Sequence, residues 1–198
     1  PVLLNNRINN TSFRHSGVML DYVEAMRICT DYLHDTGLYK TALFGINPGS
    51  GTDMIKRDYF CAHISSEADV FYNREDIDGC CLEFISKIAS YKSAVCANDI
   101  VAYCLVEKLK AYGKRIPEDI SLISFGDSVF SSVGSPTLTT VSVKHRELAR
   151  QALNLYYCVI KASDKVSFSA KISPTIFLRE STPSITCPTA PYTAEKAE

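Results

Sequence analysis

The 198-residue chain has no stretch of eighteen apolar residues, which excludes a membrane-spanning helix of ordinary length. No basic-then-apolar leader opens it. No dense Lys/Arg run occurs, and the formal net charge is -1 with a pI of about 6.5. Phosphate binding needs a basic surface, so this chain by itself does not read as a nucleic-acid binder. An initiator Met is absent, and "PVLLNN" already reads as a strand interior, so the chain is expected to begin inside a longer gene product. The eight cysteines, Cys29, Cys61, Cys80, Cys81, Cys96, Cys104, Cys158 and Cys187, form no C-x-x-C pair. Most fall at apolar positions, which argues for reduced thiols packed as small hydrophobes in a cytoplasmic protein and against a zinc site.

Signatures of catalysis are missing as well. No G-x-S-x-G elbow occurs. The loop "NPGSGTD" is glycine-rich, but Gly51 is followed by Thr52 without the lysine of a P-loop, and Met54 stands where a dinucleotide fingerprint needs its third glycine. His15, His34, His63 and His145 are scattered without metal-ligand spacing, and His34 and His63 read as surface or packing residues. The expectation is a protein that is no enzyme and uses no cofactor or metal.

What is present is a regular alternation. Strands are expected near Val2–Leu4, Lys40–Ile46, Asp69–Tyr72, Ser93–Ala97, Ser121–Phe125, Thr139–Val143 and Ser173–Arg179. Between them run helical patterns: one capped by Asp21 with Val23, Met26, Cys29 and Leu33 on one stripe, one begun by Thr52 or Asp53, one begun by Asp76, one from Ile100 to Tyr112, and one from Arg146 to Ile160. Gly37 and Gly113 follow two of these and suit helix ends. The strands are apolar runs rather than alternating ones, which indicates a mainly parallel sheet covered on both faces: an α/β, three-layer α/β/α fold. The Thr/Pro-rich tail "STPSITCPTAPYTAEKAE" is expected to be irregular.

In such sheets ligands bind beyond the carboxyl ends of the strands. Three polar loops fall there: 47–52, Asn98-Asp99, and Gly126-Asp127-Ser128. Together they point to a small-molecule cleft lined with hydrogen-bonding groups. In "SAVCANDIVAYCLVEKL" the junction has two polar residues. Asp99 reads as the helix cap and Asn98 as the residue that faces the cleft.

The segments "AVCANDIVAYCLVEKLKAYGKRIPEDISLISFGDS", "SPTLTTVSVKHRELARQAL", "ISPTIFLREST" and "DYVEAMRICTDYLHDTGLYKTALFGI" resemble the LacI/GalR family of transcriptional regulators, in order and spacing, over nearly everything from Pro1 to Thr182. The resemblance implies a Rossmann-like, type I periplasmic-binding-protein-like effector domain of two lobes joined by three crossovers. It places the crossovers near Asn9–His15, Phe130–Ser135 and Ser163–Val166. Residues 1–14 become a remnant N-lobe strand and crossover, 15–130 the C-lobe, 131–165 an N-lobe strand and helix, 166–181 the last C-lobe strand, and 182–198 a tail, with most of the N-lobe outside this sequence.

The resemblance also implies ligand contacts. Asn98 matches the family's strand-end Asn, and Asn6 a position that is often Asp. Thr52 and Lys56 fall where an Arg often grips the ligand, a role for Lys56 or Arg57. Phe125 packs nearby. Gly126 replaces a frequent contact Asp, and Asp127 stands in for it. The implied function is an effector-sensing and dimerising domain of a bacterial repressor. Its ligand is a sugar or related metabolite, and it acts on operator DNA through a helix-turn-helix headpiece outside the chain. A periplasmic sugar-binding protein of the same fold is the alternative. Exposed apolar surface at Pro1–Leu4 and Val141–Val143 is expected to be covered by self-association.

Overall fold

The computed structural model describes residues 2–5, 16–74, 76–161, 167–184 and 192–194. In chain order the elements are β1 (Val2–Leu4), β2 (Ser16–Leu20), α1 (Tyr22–Asp35), β3 (Thr41–Ile46), α2 (Gly51–His63), β4 (Val70–Tyr72), α3 (Ile77–Ser86), β5 (Ser93–Cys96), α4 (Asp99–Ala111), β6 (Ser121–Gly126), α5 (Val129–Ser132), β7 (Thr139–Ser142), α6 (His145–Lys161), β8 (Ser169–Ile172), β9 (Thr175–Leu178) and β10 (Tyr192–Ala194).

Two sheets organise them. A seven-stranded sheet runs β10-β9-β7-β6-β5-β3-β4, and a three-stranded sheet runs β1-β2-β8. All neighbours are parallel except β7 and β9. The large sheet is covered on both faces. Met26, Cys29, Tyr32, Leu33 and Phe60 of α1 and α2 pack with Leu43, Val95 and Ile123 on one side. Phe84, Ala102, Leu105 and Leu109 of α3 and α4 pack with Phe44, Ala94 and Leu122 on the other. This is a mainly parallel α/β architecture, and it explains the unbroken burial of β3 and β5. At Gly45 (φ +76°) the β3–β4 register shifts, and an added Cβ would sit 2.2 Å from Val101 Cγ1. The residue must be glycine for α4 to lie this close to the sheet.

The small sheet carries α6 on one face. Val18 and Ile172 pack against Leu148 and Leu155 there, each such side chain contributing at most about 1.5–3 kcal/mol by burial.

Several boundaries expected from sequence change. Ser16–Leu20 is a strand of the small sheet, so 15–130 is not wholly one lobe. Thr139–Ser142 pairs with β6 and β9 in the large sheet, so among the described residues of 131–165 it is α6 that packs on the small one. Residues 166–181 split into β8 in the small sheet and β9 in the large. The chain therefore passes between sheets at Asp21, at Val143–Lys144 and at Ser173–Pro174. Phe130–Ser135 instead holds α5 and its exit, and the crossovers expected at Asn9–His15 and Ser163–Val166 lie outside the described residues. Val141 and Val143 are buried rather than exposed, because β7 is flanked on both edges; Leu4 does stay exposed. The tail is not irregular throughout: Ser181 and Thr182 are buried, and β10 extends the large sheet beside β9. Val23 lies off the buried stripe of α1.

Candidate functional site

After β3 the chain travels through α2 to β4 on one side, then returns through α3 to β5 on the other. The gap between the ends of β3 and β5 is thus the switch point of the large sheet, where open α/β sheets place ligands.

Lys56 occupies that gap. It is buried at 3% exposure, and its Nζ donates to Asp53 Oδ1 (2.8 Å) and to the Ala97 carbonyl (2.6 Å) at the end of β5. Asp53 Oδ2 accepts from the Asn47 amide (3.1 Å) at the end of β3. The Lys56 ammonium lies 4.8 Å from the Phe125 ring centroid and 5.2 Å from that of Tyr22. Burial pulls its pKa below the usual lysine value, while Asp53 opposes the fall. The sequence signal for this cluster is the spacing of Asp53, Lys56 and Phe60, which places a carboxylate and an ammonium on the inward face of α2 beside a core aromatic. Capping of α2 falls to Ser50, which accepts from the Asp53 amide, rather than to Thr52 or Asp53.

Tyr22 joins the two sheets. Its hydroxyl accepts from Asn5 Nδ2 (2.9 Å) at the end of β1, and its ring centroid lies 6.2 Å from that of Phe125 at the end of β6. Burial raises the phenol's pKa, and the Asp53 charge adds to the rise. Tyr22 also lines a cavity of about 350 Å³ against the small sheet, together with Leu3, Met19, Val23, Ile55 and Phe168, with the Lys171–Asp21 ion pair (3.1 Å) at its rim. Of the residues singled out from sequence, none of the six that lie among the described residues lines that cavity.

The structure brings some of those residues together. Lys56 and Phe125 are in contact, and Thr52 lies beside the Tyr22 hydroxyl and 3.1 Å from Ser50 Oγ. Arg57 turns the other way, toward Asp58 (3.0 Å, without hydrogen-bond alignment) and Glu67 (3.5 Å). Asn6 lies outside the described residues.

At the β5–α4 junction the helix cap is Asn98, not Asp99 as expected. Asn98 is the N-cap of α4, its Oδ1 accepting from the Val101 amide at 3.0 Å. Asp99 is buried one residue later and accepts from Ser124 Oγ (2.5 Å), Thr140 Oγ1 (2.7 Å) and the Ser128 amide (2.7 Å). It fastens α4 to β6, β7 and the loop between β6 and α5.

Gly126 (φ +140°) leaves room for this: a Cβ there would lie 2.8 Å from Asp99 Oδ2. Asp127 (φ +57°) accepts from Arg179 Nη2 at 2.9 Å, a bond to a mostly buried guanidinium. The Ser128 hydroxyl is buried without a hydrogen-bond partner among the described residues. Buried hydroxyls are seldom left so. Ser128 belongs to the third polar loop expected at the strand ends, whereas Tyr22 and Asn5 did not stand out in the sequence, since each type is common at strand ends and helix starts.

Residues 30–182 match the model of a family described as the periplasmic binding protein-like domain. The HTH-type transcriptional repressor PurR of Aliivibrio salmonicida is 27% identical over 154 residues, covering 77% of this chain and 41% of that protein. The chain therefore spans less than half the length of this curated relative. Among solved structures, a complex of the transcriptional regulator CelR with cellobiose superposes with a TM-score of 0.79 at 20% identity, over 91% of this chain and 58% of that one. A LacI family transcriptional regulator from Mycobacterium smegmatis gives 0.79 at 19% identity, over 97% and 71%. The chain belongs to the periplasmic binding protein-like domain family.

Proposed function

We propose that the chain senses a sugar or related small metabolite between its two sheets and controls DNA binding by a helix-turn-helix headpiece outside it. The observation that carries this reading is the Tyr22 node, where Asn5, at the end of β1 in the small sheet, meets Tyr22 of α1, which in turn lies beside Thr52 and Lys56 of α2 and Phe125 of β6 over the large sheet. A ligand that favours one arrangement of that node shifts the balance of the two sheets, and the shift is transmitted as a coupling free energy. Thr52, Asn98, Phe125 and the free hydroxyl of Ser128 supply contacts. Lys56 shapes the floor from beneath, because its ammonium is already engaged. Asp127 is held by Arg179, and Arg57 is engaged by Asp58 and Glu67 rather than by the site. The cellobiose bound by CelR supports a sugar, and the repressors among its relatives support a cytoplasmic regulator, dimeric on its operator, over a periplasmic binding protein or an enzyme.

A thermal-shift screen of mono- and disaccharides and their phosphates tests this. A true effector at one hundred times its Kd adds about 2.7 kcal/mol, roughly 5–10 °C in Tm for a domain of this size. If no compound in the panel raises Tm, or if the one that does is turned over, the reading fails.

A further inference from the structure

Three features at the end of β3 favour negative charge: the N-terminal turn of the 13-residue α2, the Asn47 amide and the Lys56 ammonium. One carboxylate takes all three. Asp53 stands in that first turn, its Oδ2 accepts from the Asn47 amide at 3.1 Å, and its Oδ1 accepts from Lys56 Nζ at 2.8 Å. Both side chains are mostly buried, so salt and water screen the pair little. Lys56 has a further acceptor in the Ala97 carbonyl (2.6 Å), and the Tyr22 and Phe125 rings lie against its ammonium. The glycine-rich loop 47–52 thus has the layout of an anion site whose occupant is a side chain of the protein itself.

We infer that Asp53 is a specificity-determining residue of the cleft, restricting the effector to uncharged, hydroxyl-bearing molecules and turning away their phosphates and carboxylates. This rests on the reading of the strand-end cleft as the effector site. A second mostly buried cation at these strand ends, Arg179, is committed in the same way, to Asp127 at 2.9 Å. Asp99 adds a third carboxylate, held by two hydroxyls and an amide rather than by a cation. Among these buried groups, two cations face three carboxylates. An anion brought between them loses its water and meets like charge. The contacts left for a ligand, Thr52, Asn98 and the Phe125 ring, carry no charge. They suit hydroxyl groups and the apolar face of a ring.

Inorganic phosphate tests the block without an effector in hand. Raising it to about 50 mM at constant ionic strength should leave the wild-type Tm unchanged. Asp53→Asn keeps the side-chain shape but leaves a buried ammonium without its anion. The Tm of that variant should rise with phosphate by about 3–6 °C, the shift expected at about ten times a Kd. Asp53→Asn with Lys56→Met removes the cation as well and should not respond. Asp119→Asn makes the same change in net charge at the exposed Arg115–Asp119 pair and should not respond either.

The wild type supplies a second measurement that needs no variant to fold. Calorimetric titration of glucose, ribose and xylose beside glucose 6-phosphate, ribose 5-phosphate and glucuronate should find any sugar that binds at least tenfold tighter than its charged derivative. Stabilisation of the wild type by phosphate, an Asp53→Asn chain that folds and ignores phosphate, or an equal response from either control variant would each overturn the inference. So would a sugar phosphate or glucuronate that binds the wild type as tightly as its parent sugar. Silence from every sugar, with the phosphate results as expected, would sink the sugar reading and leave Asp53 as the block to anions.

Discussion

The Lys56 ammonium donates to the Ala97 carbonyl across 2.6 Å, so a side chain of α2 is pinned to the end of the neighbouring strand β5. With Asp53 reaching back to the Asn47 amide, one buried ion pair ties together the ends of β3 and β5 on either side of the switch point. Lysine at this position therefore positions the loops that frame the cleft.

Removing the charge tests this. Lys56→Met keeps the stem but leaves the Asp53 carboxylate buried without its cation, and should cost about 3–5 kcal/mol in urea unfolding. Asp53→Asn in the same chain should recover part of that loss, a coupling of about 0.5–3 kcal/mol. The pH dependence has a definite sign. The folded-state pKa of Lys56 is lowered, so between that value and about 10.5 the unfolded chain holds the extra proton, and this group adds stability as pH rises. Compared with Lys56→Met, the wild type should gain stability through that window; a flat difference would show that the ammonium is not buried.

Gly126 and Asp99 constrain each other. Gly126→Ala meets the Asp99 carboxylate and a backbone angle that L side chains rarely adopt, and should cost about 1–3 kcal/mol. Asp99→Ala strips the partner from two buried hydroxyls and the Ser128 amide, a loss of about 3 kcal/mol or more. In the double variant the clash is gone and only the backbone strain remains, so chemical denaturation should find the two losses less than additive. Additive losses would mean the loop has moved away from α4.

The large sheet was legible because its buried strands are apolar runs and because Gly37 and Gly113, both with positive φ, close the helices before β3 and β6. Sheet membership was not. "SGVML" and "TTVS" carry no mark of which sheet they join, since both sheets reward the same apolar strand and only the pairing partners differ. Nor was the burial of Lys56 legible from residue type, because lysine is almost never buried unless paired and the pairing is three-dimensional. Asn98 and Asp99 are both good capping residues, so the sequence located the junction without deciding which of them turns inward.

The thiols give a check that is independent of any ligand. Burial pushes Cys29 and Cys81 up to about 12 and Cys80 up to about 11, and Cys96 is raised well above the ordinary thiol value. With folded-state pKa values above the unfolded ones, these groups lend stability that is complete below about pH 8.5 and is lost as pH climbs through their folded values. At pH 8, peptide mapping after maleimide labelling should find exposed Cys158 modified quickly and those four only at the rate of unfolding. Fast labelling of Cys96 would contradict its place in the core.

Asn98 has an observed role as the α4 cap and a proposed one at the effector, and one substitution can separate them. Asn98→Ala removes the hydrogen bond to the Val101 amide and should cost about 1 kcal/mol of stability, as cap losses do. Asn98→Asp keeps a capping oxygen, and its charge suits a helix N-terminus, so stability should hold. It does remove the amide donor that a sugar hydroxyl could use. If an effector found by thermal shift binds Asn98→Asp as tightly as wild type, Asn98 serves α4 alone and the cleft is built by Tyr22, Phe125 and Ser128. If binding falls while the ligand-free Tm is unchanged, Asn98 both caps the helix and contacts the effector.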